Sequence, residues 1–102
     1  RLPNNQGFDE WYGIPRSSGE AAWPLQPGFD PEEYELQPVL EGRRGERNRV
    51  VTRYDHVVRA HMDRELTNRA ADYVRRKAAE PKRFFLYVPF TLPHFPPLAH
   101  PD

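Results

Sequence analysis

The feature that most constrains this chain is Phe84-Phe85-Leu86-Tyr87-Val88, five aromatic or aliphatic side chains in unbroken succession. A strand with one wet face alternates apolar and polar residues, so a run without alternation predicts a strand covered on both faces, as in parallel sheets. Burying five such side chains is worth on the order of 10 kcal/mol, and only where other strands and helices supply the cover. The run falls far short of the roughly 20 apolar residues that cross a bilayer, and the first residues, Arg1-Leu2-Pro3-Asn4-Asn5, hold no apolar leader segment.

Proline limits what can cover that strand. Pro15, Pro24, Pro27, Pro31 and Pro38 punctuate the first forty residues, and Pro89, Pro93, Pro96, Pro97 and Pro101 the last fourteen. Each removes a backbone donor and restrains the residue before it, so both zones are expected to be loop or extended chain. Val39 to Glu80 is free of Pro. There a helix is expected over about 63–79, because Leu66, Ala70, Tyr73, Val74 and Ala78 recur at helical spacing while Arg69, Asp72, Arg75 and Arg76 take the other faces. Asp63 is the expected N-cap. Pro81 stops the helix, and the cations near its end suit the negative pole of the dipole. A second, weaker helix is expected over Val50 to His61 from the spacing of Val51, Tyr54, Val57 and Val58. Phe8-Asp9-Glu10-Trp11-Tyr12-Gly13-Ile14-Pro15 could add a short strand or an aromatic turn, whereas the remainder up to Val50 reads as polar and broken. The chain is one domain's worth of sequence at 102 residues, yet its own elements offer little cover for 84–88. With no initiator Met at Arg1 and an end inside a Pro-rich stretch, it is expected to be a piece of something larger.

Charge and side-chain chemistry exclude some functions. Fifteen basic residues balance fifteen acidic ones, so no overall field draws in a polyanion. Without cysteine there are no disulfides, thiolates or Cys-based metal sites within these residues. Arg43, Arg44, Arg47, Arg49 and Arg53 could grip phosphate or sulfate through bidentate forks, but in a chain with thirteen Arg and two Lys the plainer reading is a solvated loop. No aromatic platform interleaves them, so nucleic acid is not an expected partner. His56 and His61 are five apart, which puts them on different sides of a helix rather than on one metal-binding face. Glu32-Glu33-Tyr34-Glu35 and Asp9-Glu10 lie in expected loops with no second catalytic group beside them. His94 differs in its position, six residues beyond the end of the expected strand and between Pro93 and Phe95-Pro96. Open parallel sheets place ligands beyond the carboxyl ends of their strands, where a titratable ring is well sited to act. The plain alternative is a loop histidine held by proline packing.

Four segments, in order, resemble the arylsulfatase-like sulfatases. Leu2-Pro3-Asn4-Asn5-Gln6-Gly7-Phe8-Asp9-Glu10-Trp11-Tyr12-Gly13 is similar to that family's Gly-Phe-Asp-x-Phe/Trp-Tyr/Phe-Gly signature. Glu65-Leu66-Thr67-Asn68-Arg69-Ala70-Ala71-Asp72-Tyr73-Val74 resembles a family helix, and 84–88 resembles its next core strand. Pro93-His94-Phe95-Pro96 resembles the loop that carries a sulfate-contacting histidine. Support is weakest between Ser17 and Arg53.

The resemblance implies an α/β fold, here a fragment of an alkaline-phosphatase-like mixed-sheet sandwich, and a sulfuric ester hydrolase. It implies a formylglycine nucleophile, made from a Cys or Ser in a Cys/Ser-x-Pro/Ala-x-Arg motif, and a calcium ion held by Asp and Asn side chains. Residue by residue only His94 carries over, as the catalytic and substrate-binding group on a sulfate oxygen near the leaving group. The formylglycine motif, the paired metal-binding aspartates, the Asp-Asn-Gly motif and both active-site lysines are absent, and Lys77 and Lys82 inherit no role. Residues 1–102 are therefore expected to be an internal part of a single sulfatase catalytic domain, inactive alone. Its partner would be a small sulfate ester or a sulfated glycan, and the family setting is periplasmic, secreted or lysosomal. The alternatives are a small Arg-rich polyanion-binding module and a catalytically inactive sulfatase-like scaffold.

Overall fold

The structure is a computed structural model and describes residues 2–16, 27, 30, 36–93 and 100–101. A 3-10 turn over Pro3–Asn5 leads into strand β1 (Glu10–Gly13). Strands β2 (Pro38–Arg43) and β3 (Arg49–Arg53) follow, then one long helix, α1 (His56–Ala78). The result is a small mixed α/β unit, a three-stranded antiparallel sheet in the order β1-β2-β3 with a single helix.

The sheet grows from a hairpin that sequence pattern alone did not reveal. Val50, Val51 and Thr52 are β-branched and stiff at χ1, which favours the pleated surface over a helix, and β3 pairs with β2 through Glu41↔Arg49, Leu40↔Val50 and Val39↔Thr52. The expected helix over Val50 to His61 is therefore replaced by a strand and the first turns of α1. The connecting turn closes with the Glu46 N–H donating to the Arg43 carbonyl at 3.1 Å, and Gly45 takes φ +79°, which an L side chain resists. Asn4 is buried and donates from Nδ2 to the Arg43 and Glu46 carbonyls, both at 3.2 Å, so the N-terminal turn grips the hairpin from below. β1 is the short strand the aromatic segment suggested, and it pairs with β2 from Glu10↔Arg43 to Gly13↔Leu40.

At Gly42 the backbone must pass close to two side chains. Trp11 Nε1 donates to Asn48 Oδ1 at 2.6 Å across the β2 face, and a Cβ at Gly42 would strike both groups.

The helix begins at His56, a full two turns before the expected start near 63. Its N-cap is Asp55, whose Oδ1 accepts the Val58 N–H at 2.8 Å and satisfies one of the free donors of the first turn. Asp63 is instead a mid-helix residue. The helix end agrees with expectation: Arg75, Arg76 and Lys77 occupy the last turn, and Ala79 closes it just ahead of Pro81.

The core lies where α1 crosses the hairpin, with Val39, Tyr54 and Met62 buried and Tyr12, Ile14, Val51, Val58 and Leu66 packed against them. Val58, Met62 and Leu66 repeat at a four-residue spacing and so share one helix face. Ion pairs tie the same helix to the sheet from the side, Arg69 to Glu41 of β2 at 2.9 Å and Arg76 to Glu10 of β1 at 3.1 Å.

The expected strand over 84–88 is not part of this sheet. The segment carries no strand pairing among the described residues, and Phe85 and Tyr87 are 73% and 69% exposed. A strand exists only through a partner that takes its N–H and C=O groups, and β1, β2 and β3 bond to one another instead. Residues 84–88 keep contact with the rest through rings, Phe84 edge-on to Tyr73 at 5.7 Å and Phe85 tilted against Phe8 at 6.3 Å.

Candidate functional site

His94 lies outside the described residues; the described chain leads up to it through Thr91, Leu92 and Pro93. The anchor of that approach is Asp63 on α1. Its Oδ1 accepts from the Thr91 N–H at 2.7 Å and the Thr91 hydroxyl at 2.8 Å, and its Oδ2 accepts from the Leu92 N–H at 3.0 Å. Both carboxylate oxygens are thus used on two consecutive residues some thirty positions along the chain. Asp63 is therefore no helix cap, although an Asp ahead of a helical repeat is an N-cap signal. Asp55 gives the same signal eight residues earlier, and the longer helix frees Asp63 for a distant partner.

Beside this anchor, a cleft of about 1450 Å³ separates the sheet and α1 from residues 84–91. Trp11, Tyr12, Arg69, Tyr73, Arg76 and Phe84 are among its walls. Two of its cations, Arg69 and Arg76, are committed to carboxylates of the sheet and helix. The Arg69 guanidinium stacks 3.8 Å from the centre of the Tyr12 ring and pairs with Glu65 and Glu41. Burial alone would lower the Arg69 pKa, but hydrogen bonds to Glu65 and Glu41 outweigh it and hold the guanidinium above its ordinary value. Arg76 is raised further by hydrogen bonds to Glu10 and Asp72. Glu41 sits below the usual carboxylate range, chiefly because it accepts hydrogen bonds from Arg49, with Arg69 acting in the same direction. Tyr12 is pushed up by burial, against the pull of Arg69. These groups neutralise one another, whereas Arg43, Arg47, Lys82 and Arg83 also line the cleft and form no ion pair among the described residues.

The arginine patch is largely engaged within the chain. Arg44 pairs with Asp9 at 3.4 Å and donates to the Gly7 carbonyl at 2.7 Å. Arg49 forks onto Glu41, and Arg53 reaches the Leu36 carbonyl at 3.5 Å. All five are exposed, and Arg43 and Arg47 form no ion pair among the described residues.

Of the remaining histidines, only His61 and His100 come together. His56 opens α1 with its Nδ1 buried and unpartnered, whereas His61 is exposed, donates from Nδ1 to the Val57 carbonyl at 2.8 Å and meets the His100 ring edge-on at 4.7 Å. Among the described residues no group of three or more His, Cys, Asp or Glu is placed to hold a metal ion. Asp63, the best-placed carboxylate, spends both oxygens on backbone and hydroxyl donors. The described residues therefore do not fit a calcium site, and a chain without Cys and without a Ser-x-Pro/Ala-x-Arg sequence does not fit a formylglycine. No helix among the described residues is long and apolar enough to cross a membrane.

Comparison with protein-family models, curated proteins and solved structures finds no match to this chain.

Proposed function

We propose that this chain is part of an arylsulfatase-like sulfuric ester hydrolase, with His94 contacting the sulfate near its leaving group. The observation that carries the reading is the order of four segments along one chain: Gly7-Phe8-Asp9-Glu10-Trp11-Tyr12-Gly13, the helix containing 65–74, the apolar run 84–88, and Pro93-His94-Phe95-Pro96. Two structural features support it. The first segment supplies β1, and α1 feeds directly into an extended apolar run whose exposed rings suit further cover.

In this reading the role of His94 is a defined one. Cleavage of a sulfate ester gathers negative charge on the bridging oxygen, and a fixed imidazole N–H directed there stabilises the transition state more than the ground state. The catalytic nucleophile and metal would come from sequence other than these 102 residues, so the chain on its own is inactive.

The test has two parts. Given calcium and an aryl sulfate, the purified 102-residue chain releases no phenol above buffer. Produced together with the coding sequence on either side, it hydrolyses the same ester, and His94→Ala lowers kcat by on the order of 10²–10³, the usual cost of losing one transition-state donor. An equal loss of stability and activity in that variant, or full activity without the ring, would overturn the assignment.

A further inference from the structure

The cleft carries more cations than its own carboxylates answer. Arg43, Arg47, Lys82 and Arg83 line it, are exposed, and form no ion pair among the described residues. Of the carboxylates along it, Asp9, Glu10, Glu41, Asp72 and Glu80 are already paired with cations, which leaves Glu46. The excess is therefore positive, and it is local, because the chain as a whole is neutral. Two stretches of chain bring it together. Arg43 ends β2 and Arg47 lies in the turn that follows, while Lys82 and Arg83 come just after α1. The segment 8–10 lies against both stretches. Glu10 is the register partner of Arg43 and takes Arg76 of α1 at 3.1 Å, and the Phe8 ring meets Phe85 at 6.3 Å.

Charge, size and donors define what fits there. A guanidinium presents paired N–H groups that match the oxygens of a sulfate, phosphate or carboxylate, and cations from two stretches suit several anionic groups on one molecule. The volume of about 1450 Å³ exceeds the roughly 300–1,000 Å³ of a pocket for a drug-sized ligand and suits an oligomer. Phe85 and Tyr87 line the same cleft with mostly exposed rings, so part of its wall is apolar. The apolar face of a sugar ring fits beside them, its hydroxyls donate to Glu46, and its anionic substituents reach the cations. Single-stranded DNA offers anions and stacking bases but no backbone hydroxyl for Glu46, and its continuous charge gains nothing from the neutral remainder of the chain. We propose that this cleft binds a sulfated oligosaccharide through Arg43, Arg47, Lys82 and Arg83. The choice of sulfate as the anionic group, and the bound glycan's role as substrate, rest on the hydrolase reading above.

The experiment titrates the full 102-residue chain with a heparin hexasaccharide by calorimetry at several salt concentrations. Wild type is compared with Arg43→Ala/Arg47→Ala, with Lys82→Ala/Arg83→Ala, and with Arg16→Ala/Arg75→Ala, which removes two exposed cations that do not line the cleft. Each cleft pair is expected to weaken binding about tenfold and to lower the salt slope by about two, roughly one for each cation lost. The control pair changes affinity by less than about twofold. All of these side chains are exposed, so circular dichroism of the variants matches wild type, and Gln at the same positions replaces any Ala pair that fails to fold. No binding by the wild type overturns the proposal, as does a control pair that weakens binding as much as the cleft pairs. Equal affinity for the fully desulfated hexasaccharide overturns it too. So does equal affinity for an oligothymidylate of the same charge with the same loss in the cleft variants, which would make the cleft a nucleic-acid site. Hydrolysis separates the two readings. Cleft-dependent binding by a chain that, produced with its flanking sequence, cleaves no sulfate ester refutes the hydrolase and keeps the cleft. Aryl sulfate turnover by a chain that ignores the hexasaccharide keeps the hydrolase and refutes the cleft.

Discussion

Val39, Tyr54 and Met62 are at most 2% exposed, whereas Phe85 and Tyr87, as large or larger, are 73% and 69% exposed. The first group draws on β2, the residue after β3 and α1, three places in the chain that each present an apolar face to the others. The second group lies in a run past the end of α1 that pairs with no strand, and the described chain has no second layer left to offer it. Hydrophobicity is thus not what separates the two regions. Burial needs a partner surface, and a β-hairpin crossed by an amphipathic helix makes one from its own residues, while a two-sided strand depends on elements beyond itself.

Cutting into the better-covered region gives the largest effect. Met62→Ala removes a buried side chain from the centre of the cluster and is expected to cost about 2–5 kcal/mol, measured by urea unfolding. A cost below about 1 kcal/mol would mean that the helix does not pack on the hairpin in solution, and the contrast between the regions would collapse.

Acid titration sharpens the picture at an intermediate level, because Glu41 joins β2 to Arg49 of β3 and to Arg69 of α1. Its lowered pKa means that folding favours the ionised carboxylate. The stability this contributes is complete above the ordinary glutamate value of about 4.3 and drains away as pH falls through that value toward the lowered one. Glu41→Gln is expected to cost up to about 1 kcal/mol at neutral pH, the scale of a partly exposed pair, and to flatten the acid side of the stability profile. A profile identical to wild type would show that these arginines do not engage Glu41.

The smallest effect is expected in the exposed run. Phe85→Ser should change stability by no more than about 0.5 kcal/mol, since the ring gives up little buried area. If it costs as much as Met62→Ala, the run is covered in solution, for instance by self-association, which sedimentation would detect at once.

Several elements were legible before the structure. The end of α1 followed from its basic last turn and Pro81, and β1 from the aromatic segment after Gly7. The hairpin was hidden because Pro38, Gly42 and the charges between Arg43 and Arg49 make the stretch look broken. Two signals were there to be read, the β-branched Val50-Val51-Thr52 and a glycine at Gly45 between two polar strand ends. The start of α1 was misplaced because Asp55 and Asp63 give the same local cap signal, and only continuity of the helix through His56 to Met62 chooses between them. His94 stands out by position and resemblance, whereas nothing near Asp63 in the sequence marks it as an acceptor for Thr91 and Leu92.

By itself the sequence determined what depends on neighbours within a turn or two: that a helix runs through 63–78, and where proline ends it. The tertiary structure decided the pairing of β2 with β3, the crossing of α1 over that hairpin, and the reach of Asp63 to Thr91 and Leu92 across about thirty residues. Propensity, capping and periodicity act over a few residues and are written locally. A ladder or a carboxylate–amide contact forms only when two distant stretches arrive together, and which of several chemically equal partners arrives is settled by the packing of the whole unit.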